Sequence, residues 1–411
     1  MKPNKLSRSE NNKIVRKKNI QTLLRLIRKL EPVTTETLVE KSGLSYPTVF
    51  GIIKELINAG MLEKQGYASS TGGRPPVLYS ICANCNYTMG VHIYSRWISL
   101  TISNISGGKV YETNEHKNVL DMDGCQVLNI LKYKILKASR DTNIPFDKLA
   151  GICITLPEFL HNRLFSTTSG ESASVLVETV ENLTGAETSV VYDSTMLNFL
   201  ERKKLAHSKL DSYIHVAFGL SIGVTAYRYT KGNDYIIETR DMFEHIIVVP
   251  DGALCRCGKR GCLETYYNGP ALFGHYAAEC ALRGIAPSDY DELAKNGLFR
   301  TLLFRCLHND EAAVKAVNGA IKMLGISLAN LIITLGISTV VVSGLFNSND
   351  ISFFNALSEY VRDNLTGAMK EKAELILGMA LPEDCSYGAC LMLNQKYFDH
   401  YHKANRTNFE Q

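Results

Sequence analysis

Ten residues, Cys255 to Glu264 (CRCGKRGCLE), constrain this chain more than any other stretch. They place three thiols, Cys255, Cys257 and Cys262, within eight positions, and His245 precedes them in FEHIIVVPDGALC. One imidazole nitrogen and three sulfurs make a complete tetrahedral set for zinc. Gly258 and Gly261 permit the tight turns that gather such ligands around one ion. Arg256, Lys259 and Arg260 lie among the thiolates and can offset their charge. A set with all four positions filled leaves no place for water, so the spacing predicts a structural zinc, about one per chain, and not a hydrolytic one. The following LETYYNGPAL reads as an ordinary capped helix, which argues against a nucleic-acid finger. Unmetallated buried cysteines are the bland alternative.

A chain of 411 residues is too long for one ordinary core, so two to three domains are expected. The basic start, MKPNKLSRSENNKIVRKKN, lacks the apolar region of a secretory signal, and no apolar run reads as long enough to span a bilayer. These features predict a cytoplasmic protein with no membrane partner. Its eleven cysteines are then expected as reduced thiols and metal ligands more than as a disulfide framework. Cys82 and Cys85, in ICANCN, have no matching second pair nearby and read as incidental linker cysteines. Charge is unevenly spread. Residues 1–80 hold fourteen Lys and Arg against six Asp and Glu, and the remainder holds 31 against 35. A basic head on a mildly acidic body points to a polyanionic partner for the head alone.

Within that head, IQTLLRLIRKL has helical periodicity and is closed by Pro32. In the next segment Thr34 or Thr35 can cap a short helix, Gly43 makes a turn, and Ser45 can cap a second helix with Pro47 in its first turn. Val49, Ile52, Ile53 and Leu56 form the buried stripe of that second helix, and Gly60 ends it. Two short strands, MLEKQG and PVLYSI, follow around the tip YASSTGGRPP. The pattern is a winged helix-turn-helix, a reader of double-stranded DNA. Ser45, Tyr46, Thr48, Phe50 and Lys54 are candidates for base edges or phosphates, with Phe50 equally able to pack inward. Arg74 on the wing suits a minor groove, and Lys13, Arg16, Lys17 and Lys18, read as preceding the first helix, suit phosphates.

From about residue 87 the chain alternates strands and helices in two similar runs, which predicts two α/β lobes flanking a cleft. The head LIRKLEPVTTETLVEKSGLSYPTVFGIIKELINAGML…GGRPP, the segment VYDSTMLNFLERK and the cluster FEHIIVVPDGALCRCGKRGCLE together resemble the ROK family of repressors, uncharacterised reading frames and sugar kinases. The chain is similar in particular to sugar-responsive repressors of that family, such as the xylose and N-acetylglucosamine repressors. The resemblance implies an α/β, actin/hexokinase-like (ribonuclease-H-like) two-lobed body behind the winged helix-turn-helix. The expected division is 1–82 for the head, 83–195 for the first lobe, 196–385 for the second lobe with the zinc loop, and 386–411 for a C-terminal helix packing back on the first lobe.

The resemblance also assigns roles. His245 and Glu264 would face a bound sugar as well as framing the metal, and Asp193 stands where family kinases keep their base. Asp193 also reads as a strand-end cap for the helix after it. Tyr192 replaces the family's asparagine, Met242 replaces a glutamate, and Glu244 sits at a position that is normally glycine. The implied effector set is Asp193, His245, Glu264, Tyr192 and Met242. The parts that hold ATP are altered. His92, Tyr94 and Arg96 occupy the first phosphate loop, the second reads GLSIG (Gly219–Gly223), and of the late glycines only Gly344 remains. A tyrosine in place of glycine blocks close approach of phosphate. Gly107–Gly108 and Ser169–Gly170 read as turns. The expectation is a DNA-binding regulator, a repressor of carbohydrate-utilisation genes. It would form a homodimer or dimer of dimers, sense a monosaccharide or sugar derivative, and have no kinase activity. A ligand-free DNA-binding scaffold and an active sugar kinase are the alternatives.

Overall fold

The computed structural model describes residues 8–69, 75–165, 172–205, 210, 212–218, 222–230, 233–240, 242–288, 298–344 and 351–399. Arg74, Ser169–Gly170 and most of the Gly219–Gly223 loop lie outside them.

The head is built from α1 (Arg8–Leu30), β1 (Val33–Thr34), α2 (Thr35–Ser42), α3 (Tyr46–Asn58), β2 (Leu62–Tyr67) and β3 (Val77–Ile81). The strands form an antiparallel sheet in the order β1-β3-β2. The Thr34 hydroxyl caps α2 by accepting from the Thr37 amide at 3.3 Å, and Gly43 ends it at φ 67°, the left-handed conformation that favours glycine. Ser45 holds the N-cap position of α3, yet its hydroxyl bonds the Thr48 hydroxyl at 2.9 Å instead of a backbone amide. Val49, Ile52, Ile53 and Leu56 are buried on α3, against Ile20, Leu23, Leu24 and Ile27 of α1. Each such side chain contributes about 1.5–3 kcal/mol on burial. The basic residues read as preceding the first helix instead lie within it, because α1 starts at Arg8. Ile14 and Val15 are exposed there, so this part of the helix has no apolar stripe to reveal it.

The body contains two five-stranded sheets of the same topology. The first comprises β4 (Tyr87–Ile93), β5 (Trp97–Asn104), β6 (Lys109–His116), β7 (Leu149–Leu156) and β8 (Thr188–Tyr192), in the order β6-β5-β4-β7-β8. The second comprises β9 (Ser212–Phe218), β10 (Ile222–Thr230), β11 (Asn233–Arg240), β12 (Thr339–Gly344) and β13 (Glu374–Leu377), in the order β11-β10-β9-β12-β13. In each, the first three strands are an antiparallel meander and the last two join in parallel. Parallel neighbours require helical crossovers. In the first lobe these run through α4 (Gly124–Thr142), α5 (Glu158–Phe165) and α6 (Ser172–Thr184). The helix α7 (Asp193–Lys204) leaves β8 and joins the lobes.

Two long helices complete the packing. Glu311–Leu335 is long and apolar enough to cross a bilayer, with a mean hydropathy of 1.6 over its most apolar stretch, contrary to the reading that no run reaches that length. That stretch is 56% buried, and Ala316, Ala320, Leu324 and Leu328 belong to the core of the second lobe, so its composition is that of a core helix. The Cys385–Asp399 helix lies on β4, β5 and β7 of the first sheet. Gly90 allows this approach: a Cβ there would sit 1.9 Å from the Ser386 carbonyl oxygen. Buried hydroxyls and amides fix the register, Thr101 with Ser386 at 2.9 Å and Thr88 donating to Asn394 at 2.8 Å. The far end of the helix reaches the head. Phe398, together with Ile105 of the first lobe, is part of the head's apolar core, and the Arg28 guanidinium lies 4.4 Å from the Phe398 ring centroid.

Cys82 and Cys85 are joined in a disulfide, contrary to the reading of them as incidental linker thiols. The other nine cysteines are free. Proximity in a four-residue turn, which spacing alone does not guarantee, brings the pair together.

Candidate functional site

Two surfaces carry chemistry. On the head, α3 buries one stripe and turns Ser45, Tyr46, Phe50 and Lys54 outward, with Thr48 half-buried between them. Phe50 points out, not in: it is 47% exposed and stacks with Tyr46, ring centroids 6.1 Å apart and planes 9° apart. Of the basic residues on α1, Lys18 is exposed and Lys17 partly so, whereas Arg16 is paired with Glu55 of α3 and braces that helix.

On the body, Cys255–Cys262 folds into a knuckle. The Cys255 amide donates to the Lys259 carbonyl at 2.8 Å, and the Val248 amide to the Gly261 carbonyl at 2.8 Å. Gly261 sits at φ 76°, and a Cβ there would lie 1.6 Å from the Val249 carbonyl oxygen, so no other residue fits. The turn of Phe243–His245 brings His245 to the knuckle. One ligand atom from each of His245, Cys255, Cys257 and Cys262 lies within 4.8 Å of the others. Cys257 Sγ and Cys262 Sγ are 3.6 Å apart, and Cys255 Sγ is 3.5 Å from His245 Nδ1. Burial holds the His245 imidazole below its ordinary range, with the Glu264 charge opposing, which favours the neutral form that ligates a metal.

Beside the knuckle lies a buried carboxylate pair that the sequence reading did not foresee. Glu244 is 1% exposed and Glu264 3%. Arg256 bridges them, pairing with Glu244 Oε1 and reaching Glu264 Oε1 from its Nε at 2.7 Å. Its guanidinium also lies 5.0 Å from the ring centroid of Phe159 on α5, so it spans from one lobe to the other. Arg256 therefore serves the carboxylates, not the thiolates as the spacing suggested. Tyr267 donates to Glu244 Oε2 at 2.8 Å, and Asn268 to Glu264 Oε1 at 3.3 Å. Burial first, then the neighbouring Glu264 charge, raise the Glu244 carboxyl to about 7, against the pull of Tyr267 and Arg256. A cleft of about 500 Å³ opens here, lined in part by Cys255, Arg256, Glu264, Asn268 and His275.

Asp193 is 3% exposed and is the first residue of α7. Tyr192 holds the N-cap position and Asp193 follows it in the first turn, where its charge suits a helix N-terminus. The start of β10 links this end of α7 to the carboxylates. The Ile222 amide donates to Glu244 Oε2 at 3.3 Å, and a Cβ on Gly223 would fall 2.0 Å from Ser194 Cβ. Tyr192 is half-buried, its ring 5.9 Å from that of His161. Met242 is 69% exposed just before the Phe243–His245 turn and is not among the residues gathered around the carboxylates.

In the segment that the resemblance assigns to the first phosphate loop, the chain is packed with rings. His92 is fully buried and Tyr94 is 4% exposed; Tyr94 lies 4.5 Å from Trp97 and 5.4 Å from His92, centroid to centroid. Arg96 is the last residue of the turn into β5, and its carbonyl accepts from the Lys117 amide at 3.0 Å.

Comparison with known proteins places these features. A profile of the ROK family matches residues 146–396. The chain is 21% identical over 373 residues to the xylose repressor of Bacillus subtilis (strain 168), covering 88% of this chain and 91% of that one. The crystal structure of a ROK family transcriptional regulator, a homologue of the Escherichia coli MLC protein, superposes with a TM-score of 0.71 at 17% identity, covering 94% of this chain and 97% of the other. A ROK hexokinase from Thermus thermophilus superposes with a TM-score of 0.55 at 21% identity, covering 76% of this chain and 99% of the other. The matched profile spans more than half of the sequence, and the chain belongs to the ROK family.

Proposed function

We propose that the chain is a DNA-binding transcriptional regulator, a repressor of carbohydrate-utilisation genes, whose body senses a sugar without phosphorylating it. The observation that carries this reading is the exposed face of α3, where Ser45, Tyr46, Phe50 and Lys54 stand clear of a fully packed helix core. A helix with buried aliphatics behind and hydroxyl, aromatic and ammonium groups in front suits a major groove. The likeness to the xylose repressor over most of both chains supports it. A cytoplasmic homodimer, or a dimer of dimers, would set two heads on half-sites about 34 Å apart or a multiple of that.

In the body, zinc fits the four ligands. A tetrahedron of bonds near 2.3 Å has edges of about 3.8 Å, and the 3.6 Å between Cys257 Sγ and Cys262 Sγ is close to it. His245, Cys255, Cys257 and Cys262 would hold the ion, which supplies a crosslink and no open coordination site. Its role is to fix Glu264, two residues past the last sulfur, at the cleft. Glu264 and His245, with Asp193 across the start of β10, would bind sugar hydroxyls, and Tyr192 would lie against the ring. Met242, being exposed, would join only if the cleft closes over it. His92 and Tyr94 stand where the resemblance puts the first phosphate loop, and they pack with Trp97 into a cluster of rings; bulky rings there would block close approach of phosphate, which supports sensing over catalysis.

Binding of the full-length protein to duplexes selected from a random pool tests the first half, and ATP consumption over a hexose and amino-sugar panel tests the second. No retained duplex, or sugar-dependent ATP turnover, contradicts the respective half. One observation favours a ligand-free scaffold instead: Arg256 already satisfies both carboxylates at the sugar end of the cleft. A thermal shift with any sugar decides against that scaffold.

A further inference from the structure

We propose that Cys82 and Cys85 are a reversible dithiol–disulfide site that sets how stiffly the head is held on the body, with oxidation tightening the grip on DNA. The last step rests on the DNA-binding function proposed above; the site itself does not.

Its placement carries the argument. Residues 82–86 are the whole covalent connection between β3, the last strand of the head, and β4, the first strand of the body. Cys82 belongs to the head side, its amide donating to the Met61 carbonyl at 2.9 Å. The residues after it belong to the body side. The Ile105 amide donates to the carbonyls of Ala83 at 3.2 Å and Asn86 at 3.3 Å. Asn104 donates to the Asn84 side chain at 3.2 Å, and Asn86 donates to the Tyr397 hydroxyl at 2.9 Å. The sulfur–sulfur bond thus ties the last residue on the head side, Cys82, to Cys85 on the body side. The rest of the seam includes Phe398, Ile105 and Tyr397 against the head core, Arg28 over the Phe398 ring at 4.4 Å, Gln21 on the Asp399 carbonyl at 2.6 Å, and Arg25 on the Asp399 carboxylate at 3.3 Å. Ion pairs so exposed hold little. The buried Phe398 and Ile105 seat the head on the body, and the sulfur–sulfur bond adds a covalent constraint at the joint itself.

The chemistry is accessible. Both residues are half-buried, so small thiols and disulfides reach them, whereas Cys153, Cys280, Cys385 and Cys390 are shut in the core. A low-molecular-weight disulfide such as oxidised glutathione supplies the two oxidising equivalents. One thiolate attacks it, forming a mixed disulfide and expelling one thiolate. The second cysteine then displaces the remaining small thiolate to close the ring, and the two protons leave with the two small thiols. A dithiol reductant reverses both steps. A head preset at one angle loses less freedom on docking to a two-fold site, which is the source of the tighter binding.

The test uses the full-length, zinc-loaded protein, equilibrated in glutathione buffers of graded oxidation, trapped by alkylation and digested. The peptide with Cys82 and Cys85 is expected to pass between doubly alkylated and bridged forms across the series; a peptide that stays doubly alkylated throughout overturns the site. Limited proteolysis of the junction is expected to be about fivefold slower in the oxidised form, and equal rates overturn the stiffening. A duplex selected from a random pool is expected to bind about fivefold more tightly to the oxidised form at fixed salt, within the usual span of coupling between sites. The C82S/C85S double variant should lose the difference, and chemical reduction of the unmodified protein gives the same contrast without a substitution. Equal affinities overturn the link to DNA. If neither form retains any duplex, the DNA-binding reading falls, while the peptide and proteolysis readouts still decide the site and its stiffening.

Discussion

Gly90→Ala tests the seat of the C-terminal helix. The added Cβ would lie 1.9 Å from the Ser386 carbonyl oxygen and 2.9 Å from Ala389 Cβ. Restoring ordinary contact needs the helix and β4 to part by roughly 1.5 Å. Overpacking of that kind costs about 1–3 kcal/mol. Two buried bonds run between the helix and the sheet on either side of the contact, Thr101 with Ser386 and Thr88 with Asn394. A shift that breaks either adds about 1 kcal/mol. The expected loss is therefore about 2–5 kcal/mol, read as a lower midpoint in urea denaturation with an unchanged slope. The same helix carries Phe398 into the head core, so proteolysis of the head should quicken as well. Loss of less than about 0.5 kcal/mol, the range of an ordinary surface change, would refute the close seat of the helix.

Burial lowers the His92 and His215 imidazoles to about 3, so in the folded chain both stay neutral where an unfolded histidine would charge. Their contribution is complete above the unfolded value of about 6.5 and falls with pH below it, by about 1.4 kcal/mol per unit each. Between pH 6.5 and 5, with the slope rising from half its full value, that is about 3 kcal/mol for the pair; an H92N/H215Q variant whose stability falls just as steeply would contradict it. Cys255→Ser should lower bound zinc from about one per chain toward none by elemental analysis, and should destabilise the second lobe before the head; zinc content unchanged from the unmodified chain would contradict the ligand set. Removing the stacked pair with Y46A/F50A should weaken binding to a selected duplex by at least about tenfold, at about 1–3 kcal/mol per specific contact, with folding of the head unchanged by circular dichroism; retained affinity would show that another face reads DNA.

How much of this was legible in the sequence depends on range. The head was readable because its signals are local: Thr34 caps, Gly43 turns, and Val49, Ile52, Ile53 and Leu56 repeat at helical spacing. The cluster of His245, Cys255, Cys257 and Cys262 was readable because its four residues sit close in the chain. The N-terminal part of α1 was not, since its exposed Ile14 and Val15 break any amphipathic stripe. The edge strands β11 and β13 escaped too; β13 is four residues long and its place is set by parallel pairing with β12. The Glu244–Arg256–Glu264 bridge is tertiary: Arg256 is adjacent to Cys255 in sequence, but its partners are chosen by the fold of the knuckle against Phe159 of the other lobe. Nothing in a lone pair of cysteines said that Cys82 and Cys85 would bond, because that depends on the turn between head and body.

The proposed function couples a DNA-reading head to a sugar-sensing body. The measurement that tests it most directly is the affinity of the full-length, zinc-loaded protein for a selected duplex at one salt concentration, with and without each member of a monosaccharide panel. At least one sugar is expected to change that affinity by about fivefold or more, the usual lower range of coupling between two sites. Tight duplex binding that no sugar alters would contradict it.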